Sequence, residues 1–260
     1  MIRYFRNVWR SRHILISLVQ KDLRNRYRKT FLGVAWSVLS PFGLVLIIGS
    51  VYSIVWSVDP VEFIPRLFTG LTPWIFITSS AEGGALSFAS AEGYIKQTTT
   101  DIEIFPIRAA TVALVNYLYS ALAFLAVYLF LAPQNFSFSM LMSVPGILIL
   151  YVFCCGWATI AGVINTYVRD YQPLQSLLLQ GAFYVTPIIY PIEILANKGY
   201  SFIYEINPFY YLVHVVKLPM VGVELPTVQV YFIAVCIALF VFLLGSYLVT
   251  RIGRSLVFKL

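Results

Sequence analysis

The sequence predicts an all-α integral membrane protein with six transmembrane helices, an N-terminal interfacial amphipathic helix and a re-entrant outer hairpin before the last span. Hydrophobic residues make up 60% of the 260 residues and charged residues only 11%, against roughly 25% charged in an average soluble domain. A soluble chain of this length cannot bury so much apolar surface, because most residues of a small domain meet water. The mean hydropathy of +0.82 agrees.

The number of spans follows from the uncharged runs, since a helix needs about 20 residues to cross the hydrocarbon. Charge-free runs of 29, 60, 22 and 26 residues lie between Lys29 and Asp59, Arg108 and Arg169, Asp170 and Glu193, and Glu224 and Arg251. A further run, Leu67 to Ala91, is interrupted by Glu82 alone. The longest run contains the turn signal Pro133-Gln134-Asn135 and therefore predicts two helices. The total is six.

The distribution of Lys and Arg predicts that both termini are cytoplasmic. With the N-terminus inside, 15 of the 18 basic residues fall in cytoplasmic segments, and Arg66, Lys198 and Lys217 fall outside. This asymmetry is the one that the positive-inside rule expects. It also accounts for the net charge of +7, so no nucleic-acid partner needs to be invoked.

Residues 1–30 predict a helix that lies on the cytoplasmic interface. Leu15, Val19, Leu23 and Tyr27 recur every fourth residue, and basic side chains occupy another face. Such a helix binds by apolar burial and by attraction to anionic lipid. Two interpretations stay open: a membrane anchor, or a collar that also contacts a cytoplasmic partner.

The first two spans differ in character. The first, Phe31 to Ser57, carries Pro41 and Gly43, which favour a kink. The second carries a stripe of small residues, typical of close helix packing in lipid: Ser79, Ser80, Gly83, Gly84, Ser87 and Ala91. Glu82 lies beside the stripe at predicted membrane depth, where an acid is costly. It either lines a wet path or is neutral and bonded within the bundle.

Two cytoplasmic loops carry polar sequence. Gly93 to Phe105, ending at Pro106, is either one short helix across the membrane plane or a plain loop. Arg169 and Asp170, followed by Pro173, either organise the inner mouth or solvate a turn.

The outer region before the last span predicts the re-entrant hairpin, over residues 193–224. Four prolines lie between positions 186 and 222, yet Phe209 to Val216 is strongly apolar. A full crossing here would place the basic C-terminus outside, against the charge rule. Short helices that enter and leave one leaflet satisfy both observations.

The sequence offers no energy source of its own. It contains no match to the P-loop pattern and no Gly-Lys dipeptide, and an ion-coupled carrier normally needs more intramembrane ionisable groups than Glu82. With two His, and three Cys that all fall in predicted spans, no metal site is expected.

Five motifs, in order along nearly the whole chain, resemble the ABC-2 type export permeases. They are Phe31-Leu32-Gly33-Val34-Ala35-Trp36-Ser37, Phe105-Pro106-Ile107-Arg108, Arg169-Asp170, Thr186-Pro187-Ile188-Ile189-Tyr190-Pro191 and Asn207-Pro208-Phe209. Within that superfamily the chain looks most like the O-antigen, capsule and teichoic-acid permeases. It departs from them between Gln97 and Glu103, where a Thr-rich, acidic stretch replaces the frequent Lys-rich one.

The resemblance implies a homodimer of a six-span domain, 31–260, with two copies of a separate ATPase that binds ATP and Mg. It implies export of a lipid-pyrophosphate-linked glycan across the bacterial inner membrane. It also assigns residues 1–30 as a gate helix and 93–104 as a coupling helix, so Tyr94, Lys96, Asp101 and Glu103 are the expected ATPase-coupling residues.

Aromatic side chains are the candidates for the glycan path, because their apolar faces suit sugar C–H faces. The path residues expected are Trp36, Tyr52, Tyr184 and Tyr190, with Glu82, and Arg169 and Asp170 are expected at the inner mouth. Two rival functions stay open: an ABC-2 permease for a drug or lipid, and a membrane enzyme acting on a polyprenyl-linked sugar through a metal-binding Asp101-x-Glu103 pair.

Overall fold

The computed structural model describes residues 2–27, 30–98, 100–131, 137–222 and 225–259, and all the regular structure in these ranges is helical. The α-helices, in chain order, are α1 (Ile2–Arg10), α2 (Arg12–Tyr27), α3 (Trp36–Trp56), α4 (Pro60–Ala85), α5 (Glu92–Gln97), α6 (Ile104–Leu131), α7 (Ser143–Tyr167), α8 (Tyr171–Val185), α9 (Ile192–Ala196), α10 (Phe202–Glu205), α11 (Pro208–Val221) and α12 (Val228–Lys259). Short 3₁₀ turns precede α3, α5 and α7.

Four helical segments in the described ranges are long and apolar enough to cross a membrane: Gly33–Trp56, Ile104–Leu129, Phe138–Tyr167 and Val228–Gly253. The described ranges are thus all-helical, as predicted, with four candidate membrane-spanning helices. Two of the six predicted spans are not among them. The helix α4 has 26 residues but carries Glu62, Arg66 and Glu82, and α8 has only 15 residues.

The N-terminal region is a pair of helices rather than one. Between α1 and α2 the chain turns at Ser11. Of the predicted apolar face of α2, Val19 is buried and Leu15 packs against the core. Residues 28 and 29, at the end of the predicted helix, lie outside the described residues.

The second span starts and ends earlier than predicted. The Asp59 carboxylate accepts a hydrogen bond from the Val61 N–H at 2.9 Å and caps α4, and Pro60 is its first residue. The helix ends at Ala85 rather than Ala91. Glu82 therefore lies within one turn of the helix end, and its side chain is exposed within this chain rather than bonded in the bundle.

The predicted 93–104 helix is also shorter than expected. The helix α5 has six residues and ends at Gln97, after which Thr98 is extended. Asp101 and Glu103 lie in the non-helical connection to α6. A polar, Thr-rich segment has little intrinsic preference for helix.

The described part of the outer region consists of short helices. The helix α8 ends at Val185 because Pro187 and Pro191 follow it within six residues. Then come α9, α10 and α11, and α11 is largely buried against α4, α7 and α12. The predicted turn at residues 133–135 and positions 223–224 lie outside the described residues.

The helix α7 lies at the centre of the bundle, and glycines set its distances to its neighbours. A Cβ at Gly84 of α4 would overlap the backbone of Ala158, and one at Gly156 of α7 would overlap that of Phe242 in α12. Close helix contacts of this kind are what small residues provide in lipid. The predicted small-residue stripe on the second span is thus a packing surface.

Two helices lie at the edge of the subunit. The helix α3 buries a single narrow stripe with a period of four residues, Pro41, Val45, Gly49 and Ser53. The helix α8 buries only Gln175 and Leu179. Each helix also has an exposed face that is mostly apolar.

Candidate functional site

The N-terminal helices bind the segment that leads into α6. The Arg10 guanidinium forms a two-pronged ion pair with Asp101, with Nη2 2.7 Å from Oδ1 and Nε 3.1 Å from Oδ2. The Ser11 hydroxyl donates to the same carboxylate at 2.9 Å. Bidentate contacts of this type fix orientation as well as distance.

A buried contact reinforces this ion pair one turn away. Asn7 Nδ2 donates to Glu103 Oε1 at 2.9 Å, and both side chains are buried. The Tyr4 ring is buried beside them, and its edge packs on the Phe242 ring of α12. Burial raises the pKa of Tyr4 above its ordinary value, so it is a neutral phenol that serves packing.

A second ion pair holds α2 against α6. Arg108 Nε lies 3.0 Å from Asp22 Oδ2, outside hydrogen-bond geometry but within ion-pair distance. We call these contacts the N-terminal clamp: Asn7, Arg10, Ser11 and Asp22 with Asp101, Glu103 and Arg108. The clamp joins α1 and α2 to the 101–108 segment at what we call the proximal end of the bundle.

The four predicted coupling residues separate into two pairs. Asp101 and Glu103 bind the side chains of α1, so they are not presented as a free acidic pair for a metal ion. Tyr94 and Lys96 are exposed on α5. Lys96 pairs with Glu92 one turn earlier at 2.6 Å, and Tyr94 packs edgewise on Phe105.

A cavity of about 240 Å³ lies between α2, α3, α4 and α6. Trp36, predicted on the path, lines it together with hydroxyl and amide side chains: Ser37, Ser40, Thr72, Ser79, Asn116 and Ser120. The Ser120 hydroxyl donates to the Ser37 carbonyl at 2.7 Å and ties α6 to α3. Aromatic rings, those of Trp36, Phe76 and Tyr117, and several hydroxyls in one wall offer both stacking and hydrogen bonding to a polyol. We call it the proximal cavity.

A second cavity, also about 240 Å³, lies at the opposite, distal end. Charged side chains from α4, α9 and α11 line it above apolar walls: Glu62, Arg66, Glu193 and Lys217. Lys217 Nζ donates to the Pro187 and Ile188 carbonyls at 3.2 and 3.3 Å. Burial and the nearby Arg66 charge lower the pKa of Lys217 to about 8, against an opposing effect of Glu193.

The structure does not bring the four predicted path aromatics into one place. Trp36 lies in the proximal cavity and is 46% exposed. Tyr52 packs its ring on Trp56 near the other end of α3, 5.0 Å between centroids. Tyr190 lines the distal cavity, and its hydroxyl donates to the Tyr184 carbonyl at 3.0 Å. Tyr184 itself is 63% exposed. Three of the four thus gather towards the distal end.

The comparisons with known proteins decide the family. Residues 14–221 match the ABC-2 type transporter family, which is most of the chain and includes α3 to α11. This chain belongs to the ABC-2 type transporter family.

The relatives of this permease are polysaccharide exporters. It is 29% identical to the O-antigen export system permease protein RfbA of Myxococcus xanthus over 209 residues, 80% of each chain. A Klebsiella pneumoniae protein with the same description is 30% identical over 196 residues, 75% of each chain. The polysialic acid transport protein KpsM of Escherichia coli is 23% identical over 211 residues, 78% of each chain. These similarities support membership of the polysaccharide exporter group.

The inner-mouth candidates of this ABC-2 permease are exposed. Arg169 and Asp170 lie between α7 and α8, and neither forms an ion pair within the described ranges. The two side chains therefore do not pair with each other in this structure. The adjacent Asn165 shapes the turn, since its amide donates to the Ala85 carbonyl and accepts from the Gln172 N–H.

Sequence reasoning about this permease missed the clamp partners of Asp101 and Glu103. Asp22 was the available signal, because it is the single acid among nine basic residues in the first 30 positions. An isolated acid in such a segment indicates a specific cationic partner. Asn7 carried no comparable signal, since nothing in the local pattern distinguishes a buried amide from an exposed one.

Proposed function

We propose that this permease is the membrane subunit of an exporter that carries a lipid-linked polysaccharide, O-antigen or a similar cell-surface glycan, across the bacterial inner membrane. It acts as a homodimer and is driven by two copies of a separate ATPase, which binds ATP and Mg. The observation that carries the proposal is the similarity to O-antigen and polysialic acid permeases over three quarters or more of the chain.

The proposed topology has six spans, formed by α3, α4, α6, α7, α8 and α12, with both termini cytoplasmic. The 26 residues of α4 correspond to about 39 Å of helix, more than the roughly 30 Å hydrocarbon thickness. Its charges Glu62 and Glu82 lie near its two ends, where side chains reach the interface. The segment after α8 completes the fifth crossing, and α9 to α11 form the re-entrant region with α11 inserted among its neighbours.

The proposed conduit lies between two subunits, along the exposed faces of α3 and α8. Among the six proposed spans these two helices have the fewest buried residues within the described ranges, and they carry Trp36, Tyr52 and Tyr184. Rings spaced along the path hold a polymer weakly at many places, so it advances without a deep trap. Arg169 stands at the inner mouth, where its guanidinium suits the pyrophosphate of the cargo, and Glu82 lies at the same end.

In the proposed coupling mechanism, a conformational change of the ATPase is transmitted to α5 and then through the N-terminal clamp. Tyr94 and Lys96 are the contacts for the ATPase because they are exposed on α5. Asp101 and Glu103 follow α5 along the chain and contact the N-terminal helices. Through these contacts they transmit a displacement of α5 to the gate helices α1 and α2. The coupling role thus divides between two pairs that face different partners.

Deletion of the gene tests the function. Cells that lack this permease should lose the surface polysaccharide and accumulate the lipid-linked glycan on the cytoplasmic side, and the wild-type gene should restore export. Normal surface polysaccharide in the deletion strain, with a changed drug sensitivity or lipid composition, would favour a drug or lipid cargo. Loss of glycan synthesis itself would favour the membrane enzyme.

A further inference from the structure

The distal cavity contains equal numbers of opposite charges that are not paired with one another. Arg66 and Lys217 contribute two cations, and Glu62 and Glu193 contribute two carboxylates. Within the described ranges no ion pair joins any of these four side chains. Glu62 and Arg66 are one turn apart on α4, the spacing at which a helix normally pairs such residues, yet they remain separate.

The cavity holds Lys217 in place from one side only. Its ammonium has three donors, and two protein acceptors are within reach, the Pro187 and Ile188 carbonyls. These contacts pin the non-helical 187–188 segment to α11. Arg66, Glu62 and Glu193 are exposed side chains around the same opening, free to turn towards an occupant.

The rest of the wall is mostly apolar and opens beside the end of α3. Phe63, Leu67 and Ile188 are buried below the charged groups. Trp56 and Val58, at the end of α3, form the edge of the opening. Ile54 and Val55, just before Trp56, are exposed and apolar. A molecule with a charged head and an apolar tail fits this arrangement.

We propose that the distal cavity binds the headgroup of a zwitterionic phospholipid that carries a phosphate and a primary amine. The phosphate lies against Arg66 and the third donor of Lys217, and the ammonium lies between Glu62 and Glu193. The acyl chains leave over the edge at Trp56 and Val58. The lipid thereby bridges α4, the 187–193 segment and α11, three elements that form the distal end of the bundle.

The charge balance distinguishes this ligand from other phosphate-bearing lipids. An anionic headgroup without an amine, or a polyprenyl pyrophosphate, satisfies the two cations but brings more negative charge towards Glu62 and Glu193. Bringing this negative charge close to the two carboxylates is unfavourable, and solvent screens the repulsion poorly in a partly buried site. The inference concerns a bilayer lipid and does not depend on the nature of the exported cargo.

Native mass spectrometry of the purified permease tests the proposal. The protein is incubated with an equimolar mixture of phosphatidylethanolamine and phosphatidylglycerol with identical acyl chains. We expect preferential retention of phosphatidylethanolamine. Arg66→Gln should lower that retention about five- to tenfold, as loss of a charge-assisted contact implies. Lys198→Gln, an exposed cation elsewhere in the outer region, should leave it unchanged.

The carboxylates give the sharper test. The double variant Glu62→Gln/Glu193→Gln removes the acceptors of the amine and keeps both cations, so its preference should shift to phosphatidylglycerol. Equal retention of the two lipids by the wild-type protein, or an unchanged preference in this double variant, would overturn the proposal. Displacement of phosphatidylethanolamine by a stoichiometric amount of polyprenyl pyrophosphate would instead assign the cavity to the cargo.

Folding does not confound these outcomes. Arg66, Glu62 and Glu193 are exposed, and Lys217, which holds the 187–188 segment, is left unchanged. The unfolding temperature of each variant without added lipid is measured as a check. If Arg66→Gln fails to fold, the preference of the Glu62→Gln/Glu193→Gln variant decides the question alone.

Discussion

At the scale of single residues, Asp101 shows how a local contact changes an interpretation. Its carboxylate accepts from the Arg10 guanidinium and from the Ser11 hydroxyl, and only 12% of its side chain is exposed against 69% for Arg10. An acid so occupied by its own subunit is poorly placed to contact an ATPase directly. In the proposed mechanism, its effect on coupling therefore passes through α1.

Exchanging the charges of Arg10 and Asp101 distinguishes the effect of their contact from the effect of the individual charges. Arg10→Asp and Asp101→Arg should each reduce export and leave the ATPase running without transport. The double variant Arg10→Asp/Asp101→Arg should recover a substantial part of export and of its coupling to ATP hydrolysis. Stability should change by about 1 kcal/mol or less, since the pair is largely at the surface. The measurements are surface glycan per permease and ATP hydrolysed per glycan.

Arg3→Asp is the matched control for that exchange. Arg3 lies on the same helix, is exposed, and forms no ion pair within the described ranges. Its reversal alters the net charge of α1 by the same amount and should leave coupling intact. Equal loss of coupling in Arg3→Asp and Arg10→Asp would show that overall charge, rather than the clamp, is responsible.

Trp36 is the path candidate with the most distinctive surroundings in the structure. It lines the proximal cavity among hydroxyl side chains, whereas the other three path candidates lie towards the distal end. Trp36→Ala should slow export roughly fivefold through the loss of about 1 kcal/mol of stacking. Trp36→Ala/Tyr184→Ala should block long chains before short ones.

The distribution of exported chain lengths, measured with membrane abundance, distinguishes a path ring from a packing ring. Tyr247→Ala is the control, because Tyr247 is a similarly exposed aromatic residue on α12. It should change neither quantity. Reduced abundance with unchanged chain lengths in the Trp36 variants would assign that ring to packing.

At the scale of helices, the sequence predicted which segments are helical better than where each helix begins and ends. Composition and charge gave the long apolar helices, because those signals are averaged over many residues. The second span was misplaced by six or seven residues, since Asp59 and Pro60 were read as an outer loop rather than as a cap and a first residue. The N-terminal clamp was not predicted because its partners are far apart in the sequence: Asn7 and Glu103 are separated by 96 positions, and local patterns do not report such contacts.

The contact between α4 and α7 gives a prediction at this scale. A Cβ at Gly84 would overlap the backbone of Ala158, which cannot move independently of α7. Gly84→Ala should therefore separate the two helices and destabilise the permease by about 1–3 kcal/mol. The measurement is the unfolding midpoint in a mild detergent.

Gly43→Ala is the control for Gly84→Ala. Gly43 also lies within a long helix, α3, but a Cβ there meets no atom within 4 Å. Alanine has the higher helix propensity, so Gly43→Ala should be neutral or slightly stabilising. Equal destabilisation by both substitutions would mean that helix propensity in lipid, rather than the α4–α7 distance, is what the glycines control.

At the scale of the whole molecule, orientation is the property that the charge distribution predicts most strongly. A Cys-free background with single cysteines at Ser57, Asn135 or Asn197 should react with an impermeant thiol reagent added from outside. A cysteine at Gln97 should react only after the membrane is opened, since α5 is proposed to face the cytoplasm. Labelling of the Gln97 position in intact cells would contradict six spans with both termini inside.

The central claim is that this ABC-2 permease moves a lipid-linked glycan by means of a separate ATPase. Proteoliposomes that contain the permease and its ATPase, loaded with a labelled lipid-linked glycan, test it most directly. Transfer is read as exposure of the label to a glycan-degrading enzyme on the opposite side. We predict transfer that requires hydrolysable ATP and both proteins, with none from either protein alone. Transfer by the permease without the ATPase, or ATP-driven transfer of a drug or phospholipid while the glycan stays in place, would contradict the account.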